Sequence, residues 1–448
     1  MAENEALIAW FTRTGWSRGE LARQVRARAR TTGNPQVACD TNSVRRWFYE
    51  GRRPRPPVPE LLADVISERV GVRVSPADLG LADSPLRDRA LVYDPSFTAT
   101  VDVITDLGRA DVERRKILMS AVFAGAASIV PSREWLLSTL TADPHRRIGQ
   151  ADVQSVKNMF AVFQEMDVMQ GGGSGRLALA AYMNEHVYPL LRARKTAPVH
   201  DSLLRAASEQ SYLLGWMAYD NGEHALAQRY LIQSLRLAQE STDTALGAHV
   251  LAGMADQATL LGNPAEGIRL AQTGRLGLAD GVSPACLADL YALEARAHAV
   301  MGDTRAADLA IGQSQDVFTT VDYGTEPEWA RFIDAAYLNG EYATAMRDVN
   351  RPVDAARYAR LSINAARAQK RARRGAMSQA VLASSHIQDG NLEAAHAAGV
   401  RTIDLARRVK SSRTIDSVKD LRTRLNSLGK HQLVADYNDR AWDLLSAV

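Results

Sequence analysis

A period of about forty residues runs through the second half of this 448-residue chain and constrains its fold more than any other feature. The turns that mark it contain Gly222, Gly262, Gly302, Asn350, Gly390 and Gly429. The first two intervals are 40 residues each, and the last two are 40 and 39. Helical stretches lie between the turns. Such a period predicts a helical solenoid, because one repeat cannot bury its apolar face without a neighbour.

Small residues recur at fixed distances from these turns. Five positions after most of the turns stand Ala227, Gly267, Ala307, Ala355 and Ala395, and seven positions before the first three stand Gly215, Ala255 and Ala295. Small side chains at these points would allow two antiparallel helices to pack closely. The interval from Gly302 to Asn350 is longer, and its excess includes an aromatic, acidic insertion at Tyr323–Tyr342.

The repeat resembles the tetratricopeptide (TPR) family most clearly in the sequence LLGWMAYDNGEHALA at Leu213–Ala227. The resemblance covers roughly residues 200–448 and weakens in the last repeats. The period is longer than the family's usual length of about 34 residues, so helices or loops should be extended. We therefore expect an all-α chain in which the first helix of each repeat lines a concave face.

That concave face is the expected place for a ligand. Projection from the turns gives the inward positions as Glu209, Tyr212, Trp216, Tyr219, His249, Asp256, Arg296, Trp329, Asp334 and Tyr337. An aromatic and charged interior would suit a peptide or a small signal molecule. The alternative is that Tyr212, Trp216 and Tyr219 only fill the seam between helices.

The N-terminal region carries the signals of two short helices. Ser17 followed by Glu20 is a capping-box pattern, so a helix should begin there. A second start signal is Asp40 or Thr41. The apolar stripes that follow the two starts are Leu21, Ala22 and Val25, and Val44, Trp47 and Phe48. Gly51 and the prolines at 54, 56, 57 and 59 should end the second helix.

The opposite face of the second helix is polar and cationic. It carries Asn42, Ser43, Arg45 and Arg46. Arginine can bind guanine, and asparagine can bind adenine, through paired hydrogen bonds in the major groove. Phosphates would be met by Arg18, Arg52, Arg53 and Arg55. Residues 1–60 hold eleven basic and six acidic residues, hence a charge of +5, whereas the whole chain carries only +3. The alternative is a helical hairpin with a solvated basic face.

This region resembles the Cro/repressor-like (XRE) helix-turn-helix family over roughly residues 6–80. The matching segments are SRGELA (Ser17–Ala22), TNSVRRW (Thr41–Trp47), GRRPRPP (Gly51–Pro57) and PELLA (Pro59–Ala63). The resemblance implies base contacts from Thr41, Asn42 and Arg46, and phosphate contacts from Arg18 and Arg53. The family usually joins its two helices by a few residues, whereas Arg26–Cys39 intervenes in this chain. Either the first helix is longer, or an inserted loop packs beside the DNA.

Taken together, the two regions resemble an actinobacterial family of XRE/TPR transcriptional regulators, which is associated with secondary metabolism and development. They imply a protein that binds double-stranded DNA as a homodimer through its solenoid and senses a peptide, small molecule or protein partner. The competing hypothesis is a TPR protein–protein adaptor whose N-terminal domain does not read DNA sequence. The insertion between the motif helices favours that hypothesis.

Other function classes find no support in the sequence. Catalytic motifs, a Walker motif and paired-cysteine zinc motifs are absent from the sequence, so we expect neither an enzyme nor a cofactor or metal. Gly171–Gly175 lacks the Gly-Lys-Ser/Thr ending of a phosphate loop and is interpreted as a flexible elbow. The run at Ile117–Val130 is too short to span a bilayer, and Cys39 and Cys286 suit a reducing cytoplasm.

The predicted domain organisation has four parts. Residues 1–82 form the helix-turn-helix domain, and residues 83–100 form a linker. Residues 101–197 form a helical connecting region that holds one or two irregular repeats, and residues 198–448 form the solenoid. Abundant alanine with few aromatic residues agrees with an all-α fold.

Overall fold

The structure is a computed structural model that describes residues 4–32, 34, 36–50, 52–55, 57–70, 74, 76, 79–81, 90–94, 96–116, 148–279 and 281–446. These residues form helices, turns and irregular loops, and none of them is in a strand. The chain divides into two compact units, Met1–Asp88 and Arg89–Val448, called unit 1 and unit 2 below. The predicted helix stop at Gly51, the linker residues 83–89 and the apolar run 117–130 lie outside the described residues.

Unit 1 is built from α1 (Glu5–Thr14), α2 (Arg18–Thr31), α3 (Thr41–Tyr49) and α4 (Val58–Val70). Both helix starts lie where the sequence predicts them. The Ser17 hydroxyl accepts the Glu20 N–H at 3.2 Å, and the Asp40 carboxylate accepts the Ser43 N–H at 2.7 Å. The two predicted stripes are buried, and they pack with α1 and α4 into one core. The four helices therefore share a single apolar interior.

Unit 2 begins with helices that cover the first repeat. They are α5 (Phe97–Lys116), α6 (Gln150–Gln170), α7 (Arg176–Tyr182) and α8 (Tyr188–Arg192), with a π turn at Met183–Val187 between the last two. Residues 90–94, within the predicted linker, pack on the repeats: the Gln233 amide donates to the Ala90 carbonyl at 3.0 Å, and Arg236 donates to the Asp94 carbonyl at 2.7 Å.

Six helical hairpins follow in the part of unit 2 from residue 197 onward. They are α9 (Ala197–Asp220) with α10 (His224–Glu240), α11 (Thr244–Leu260) with α12 (Pro264–Gly277), α13 (Pro284–Val300) with α14 (Thr304–Phe318), α15 (Ala335–Asp348) with α16 (Pro352–Ala368), α17 (Ala372–Gln388) with α18 (Leu392–Ala406), and α19 (Ser412–Asn426) with α20 (Gln432–Leu445). The predicted turns join the two helices of each pair. Gly222, Gly262, Gly302, Asn350 and Gly390 have φ between +57° and +79°. Glycine and asparagine adopt this left-handed conformation at little cost.

The small residues found at fixed distances from the turns lie where the two helices of a pair pack closely. A Cβ atom on Gly267 would lie 2.2 Å from the Thr259 hydroxyl oxygen, and one on Gly215 would lie 3.1 Å from Leu231. The sequence interpretation missed a second periodic device. Ser234, Ser314 and Ser362 each donate from the second helix of a pair to a carbonyl 26 residues earlier in the first helix, at 2.6–2.8 Å. These bonds fix the register of the two helices in three of the pairs.

The insertion before α15 folds against the repeats. Trp329 lies in a 3-10 turn at Glu328–Ala330 and is buried. The Glu326 carboxylate accepts the Ser283 hydroxyl at 2.6 Å and the Ala285 N–H at 2.8 Å, at the N-terminus of α13. The insertion is thus anchored two helices upstream, which places Trp329 inside the solenoid.

The segment before the last hairpin contacts both the first hairpin and the glycine run that follows α6. The glycine run after α6 lies against the segment before α19: Lys410 N–H donates to the Gln170 carbonyl at 2.8 Å, and Gly173 N–H donates to the Lys410 carbonyl at 3.1 Å. The Ser411 hydroxyl donates to Asp220, at the end of α9, at 2.9 Å. The glycine run interpreted as a flexible elbow is therefore a hydrogen-bonded contact. The concave face is closed by the last hairpin instead of remaining open along its edge.

Candidate DNA interface and ligand cavity

The second motif helix, α3, separates an apolar face from a polar one. Val44 and Phe48 are fully buried in the core of unit 1, and Trp47 is nearly so. Thr41, Asn42 and Arg45 are exposed, and Ser43 and Arg46 are half-buried. The polar residues predicted to contact bases are thus on the outer side of a helix whose inner side is fixed.

The N-terminus of α2 lies beside the N-terminus of α3. A Cβ atom on Gly19 would lie 3.8 Å from the hydroxyl oxygens of both Ser17 and Thr41. Arg18, Arg52, Arg53 and Arg55 are exposed. Arg45 forms an ion pair with Glu50 at 2.6 Å. Because that pair is exposed, the guanidinium can exchange the carboxylate for another acceptor at little cost.

The segment between the motif helices is explained in part by a longer helix. α2 continues to Thr31, so residues 32–40 form the connection. The Arg26 guanidinium donates to the Cys39 carbonyl, and the Asn34 N–H donates to the Ala29 carbonyl at 2.8 Å. Burial raises the pKa of the Cys39 thiol to about 11. The end of the connection is therefore folded onto α2 and contributes to the core of unit 1.

Unit 2 contains a cavity of about 50 Å³ inside the closed solenoid. Its wall is made by Phe160, Gln164, Asp167, Val168, Tyr212, Leu213, Trp216, His249, Phe332, Tyr337, Arg371, Arg373, Arg374, Met377 and Arg413. These residues come from α6, α9, α11, the insertion, α15, α17 and α19, together with the residue that precedes α17. The cavity exists because the last hairpins fold back onto α6 and α9.

Four arginines face this cavity, and each has an acidic partner. Their side chains are 10–14% exposed. Arg373 pairs with Asp167 and Asp220, Arg371 with Asp334, Arg374 with Glu341, and Arg413 with Asp256. The contacts are 2.7–2.9 Å except for Arg413, whose nitrogen lies 3.6 Å from the Asp256 oxygen.

Aromatic rings line the cavity beside these arginines and continue behind its wall. The His249 ring lies 4.1 Å from the Tyr212 ring and stacks 4.6 Å from Trp329. The Arg413 guanidinium lies over Trp216 and Tyr219, at 5.4 and 4.7 Å from their centres. Burial lowers the pKa of His249 to about 3, so its ring is neutral at physiological pH. Among the described residues, His249 Nδ1 has no hydrogen-bond partner.

The structure separates the predicted ligand residues into two groups. Tyr212, Trp216, His249 and Tyr337 line the cavity. The others lie behind its wall: Trp329 stacks on His249, Tyr219 lies under Arg413, Asp256 and Arg296 pair with each other at 2.6 Å, and Asp334 caps α15 and pairs with Arg371. Glu209 does not line the cavity, and burial raises its pKa to about 7.

The sequence interpretation missed the arginines of the cavity. Three of them come from the run KRARR at Lys370–Arg374, which marks the start of α17. A basic run usually forms a solvated face. The only local signal against a solvated face was the position of this run at the start of a repeat helix.

The described residues contain no group of three His, Cys, Asp or Glu side chains that could hold a metal ion. Within the described part of the chain, no helix combines the length and the apolar character needed to cross a membrane.

These features define an all-helical protein in which a small unit, with four described helices, precedes a solenoid of helical hairpins. Residues 7–82 match a protein family described as the SP15 N-terminal domain. The match covers the helices of unit 1 and no part of the solenoid. None of the curated proteins matches this chain.

Proposed function

We propose that this protein is a sequence-specific DNA-binding transcriptional regulator whose α3 helix enters the major groove. The observation that carries the proposal is the two-sided character of α3, with Val44, Trp47 and Phe48 buried and Thr41, Asn42 and Arg45 exposed. A helix held in this way can present its N-terminal residues to base edges without losing contact with its own core. The XRE resemblance of the same segment supports the assignment.

The basic residues divide into two roles. Asn42, Arg45 and Arg46 lie on α3 and suit base recognition. Arg18 at the start of α2, and Arg52, Arg53 and Arg55 after α3, suit phosphate contacts that position the helix. Thr41 and Ser43, in the first turn of α3, complete the polar surface.

Unit 2 would supply dimerisation and sensing. Helix-turn-helix proteins commonly bind two half-sites as dimers, and a long repeat solenoid offers a surface for that contact. Its hairpins are TPR-like in sequence, and the internal cavity is a place for an effector. In this proposal the protein acts in the cytoplasm and controls genes of secondary metabolism or development, as the resemblance to XRE/TPR regulators implies.

The deciding experiment is selection of genomic fragments by the full-length protein at physiological salt. The test variant is Arg45→Ala/Arg46→Ala, and the matched control is Arg23→Ala/Arg30→Ala, which removes the same charge from α2. We expect a recurrent inverted motif that is lost in the test variant and retained in the control. Normal selection by the test variant would show that α3 is not the recognition helix.

A second candidate function is a protein–protein adaptor that does not read DNA sequence. An open groove between α16, α17 and α18 favours it, with Ile363, Leu382 and Leu405 among its apolar residues. Its basic residues are Arg360, Arg367, Lys370, Arg371, Arg401 and Arg408, against the single acidic residue Asp404. An adaptor would show no enriched motif and only weak, strongly salt-dependent DNA binding.

A further inference from the structure

The cavity wall carries an excess of positive charge. It exposes four arginines and one carboxylate, Asp167, to the same space of about 50 Å³. Both oxygens of Asp167 are already occupied by Arg373, at 3.0 and 2.7 Å. The remaining acidic partners of the arginines are not part of the wall. A molecule in the cavity therefore meets guanidinium groups without meeting a free carboxylate.

Two of the arginines lack a short, relaxed ion pair, although against the effect of burial Tyr219, Asp256, Asp220 and Glu341 raise the pKa of Arg413. Within the described part of the chain, the ion pair of Arg413 is a long one, 3.6 Å from Asp256. Arg371 pairs with Asp334 at 2.7 Å, but Arg373 and Arg374 lie close to it. Burial, together with these two neighbouring charges, lowers the pKa of Arg371 below its ordinary value despite Asp334. An added negative charge would relieve this repulsion.

The helix that follows Arg371 adds to the effect. α17 begins at Ala372, and no side chain caps its N-terminus. Its first turn contains Arg373 and Arg374 and no acidic residue. Helix N-termini carry a partial positive charge and normally attract acidic side chains. Arginines at this end add their charges to the partial positive charge of the helix N-terminus. An anion in the cavity would offset the resulting repulsion.

A neutral hydrogen-bonding group is also available. His249 is 1% exposed, lines the cavity, and has an Nδ1 atom without a partner among the described residues. A buried polar atom of this kind costs free energy unless water or a ligand satisfies it. An occupant of the cavity that reached this nitrogen would remove that cost, and this argument is separate from the charges.

We propose that the cavity binds the oxyanion group of a small aromatic acid, with Arg371 and Arg413 as its main cationic contacts. The volume suits a carboxylate or phosphate group and is too small for a peptide segment. The partly exposed rings of Trp216 and Phe332 would contact the flat part of the molecule. The inference deepens the proposed sensing role of unit 2 and rests on it.

The test is isothermal titration calorimetry of the full-length protein with a matched set of small-molecule probes. Phenylacetate has the charge and the ring, phenylacetamide has the ring without the charge, and acetate has the charge without the ring. Phenyl phosphate distinguishes a phosphate ligand from a carboxylate ligand. We expect binding of phenylacetate or phenyl phosphate, and at least about tenfold weaker binding of phenylacetamide, because charge-assisted bonds to the arginines are lost.

Two variants test the residues. Arg371→Gln/Asp334→Asn removes a whole ion pair, and asparagine caps a helix as well as aspartate, so the start of α15 is kept. Arg413→Gln removes the second cation. Each should weaken binding of the acid about tenfold. Arg351→Gln is the control, because Arg351 pairs with Asp308 and Asp354 and does not line the cavity.

The outcomes are distinct. Equal binding of phenylacetate and phenylacetamide, or unchanged binding by both variants with a normal circular dichroism spectrum, would overturn the proposal. The proposal would also be overturned if none of the charged probes bound at millimolar concentrations. The assay contains no DNA, and the Arg45→Ala/Arg46→Ala variant should bind the acid normally. Failure of the anion site is therefore distinguishable from failure of the DNA-binding proposal.

Discussion

Arg373 and Asp167 form a two-pronged ion pair between residues 206 positions apart, with nitrogen–oxygen distances of 3.0 and 2.7 Å. One of the two guanidinium nitrogens also contacts Asp220 at 2.9 Å. α6, α9 and α17 therefore meet at one buried guanidinium group. Repeat solenoids are usually held together by contacts between neighbouring repeats. This pair adds a contact that does not depend on neighbours in sequence, and it forms one side of the cavity.

The glycines after α6 permit the same closure. A Cβ atom on Gly171 would lie 2.4 Å from the Lys410 carbonyl oxygen, and one on Gly172 would lie 2.7 Å from the Met217 carbonyl oxygen. Both distances are well below van der Waals contact. The backbone of this run therefore approaches two other segments as closely as only glycine permits.

Removal of the Arg373 guanidinium should destabilise unit 2 strongly. The change Arg373→Met leaves Asp167 and Asp220 buried without their cation. Breaking a buried ion pair on one side costs about 3–5 kcal/mol. Urea unfolding followed by circular dichroism should show this loss in the free energy of unfolding.

The control for Arg373 is Arg351→Met. The ion pairs of Arg351 are partly exposed, with 40% of its side chain accessible. Solvent-exposed pairs contribute at most about 1 kcal/mol, so this variant should unfold near the wild-type midpoint. Similar small losses in both variants would contradict a structural role for the closure.

His249 should make the protein sensitive to acid. Burial lowers its pKa to about 3 in the folded state, against an ordinary value near 6.5. Between about pH 3 and about pH 6.5, His249 therefore binds a proton in the unfolded chain but not in the folded protein. This contribution to stability is complete above about pH 6.5 and decreases as the pH falls, by about 2 kcal/mol at about pH 5.

The variant His249→Phe tests that contribution. It keeps an aromatic ring against Tyr212 and Trp329 and removes the titrating nitrogen. The free energy of unfolding should fall less steeply between about pH 7 and about pH 5 in the variant than in the wild type. Parallel curves for the two proteins would show that His249 is not the group responsible.

The structural elements that could be predicted from the sequence were those specified by a few neighbouring residues. Ser17 and Asp40 cap their helices, and Gly222 lies in a hairpin turn, because capping and turn geometry involve only a few neighbouring residues. The all-α fold and its period follow from the same kind of signal. Trp216 was predicted to face inward, and it lines the cavity.

The closure of the solenoid had no such signal. Arg373 lies in a basic run, and nothing near it in sequence shows that its partners are Asp167 and Asp220. Asp334 was predicted as an inward ligand residue, but its carboxylate accepts the Tyr337 N–H at 2.9 Å and pairs with Arg371. A period of forty residues defines each hairpin, whereas the return of the last hairpin to α6 depends on contacts across the whole solenoid.

Thr242 occupies a strained position between two repeats. Its φ is +56°, its side chain is exposed, and it is branched at Cβ. A left-handed conformation costs a residue of this kind about 1–2 kcal/mol, whereas glycine adopts it freely. Relief of this strain in Thr242→Gly should therefore raise the free energy of unfolding by about 1 kcal/mol. The greater conformational entropy of glycine in the unfolded chain offsets part of this gain.

Thr319→Gly is the matched control for Thr242. Thr319 is also exposed at the end of a helix, but its φ is −64°. Glycine gives no relief of strain at such a position and should lower stability by about 0.5–1 kcal/mol. Thermal unfolding of both variants gives the comparison, and a shift in the same direction for both would refute the strain at Thr242.

Arg52 and Asn42 should affect DNA binding in different ways. Arg52 is exposed beyond α3, where it would contact a phosphate, so Arg52→Ala should weaken binding to all sequences alike. The slope of log K against log salt should decrease by about 0.9, because one fewer counterion is released. Asn42→Ala should keep the salt slope and lose about 1–3 kcal/mol of discrimination at one base pair.

Fluorescence anisotropy over a range of salt concentrations, with the selected operator and a scrambled duplex, separates these two effects. Arg30→Ala, at the far end of α2, controls for a general loss of charge and should change neither quantity. If Arg52→Ala alters base preference while Asn42→Ala alters only the salt slope, the assigned roles are reversed. Helix α3 would then lie in the groove with its C-terminal end toward the bases, since Asn42 is in its first turn and Arg52 follows its last.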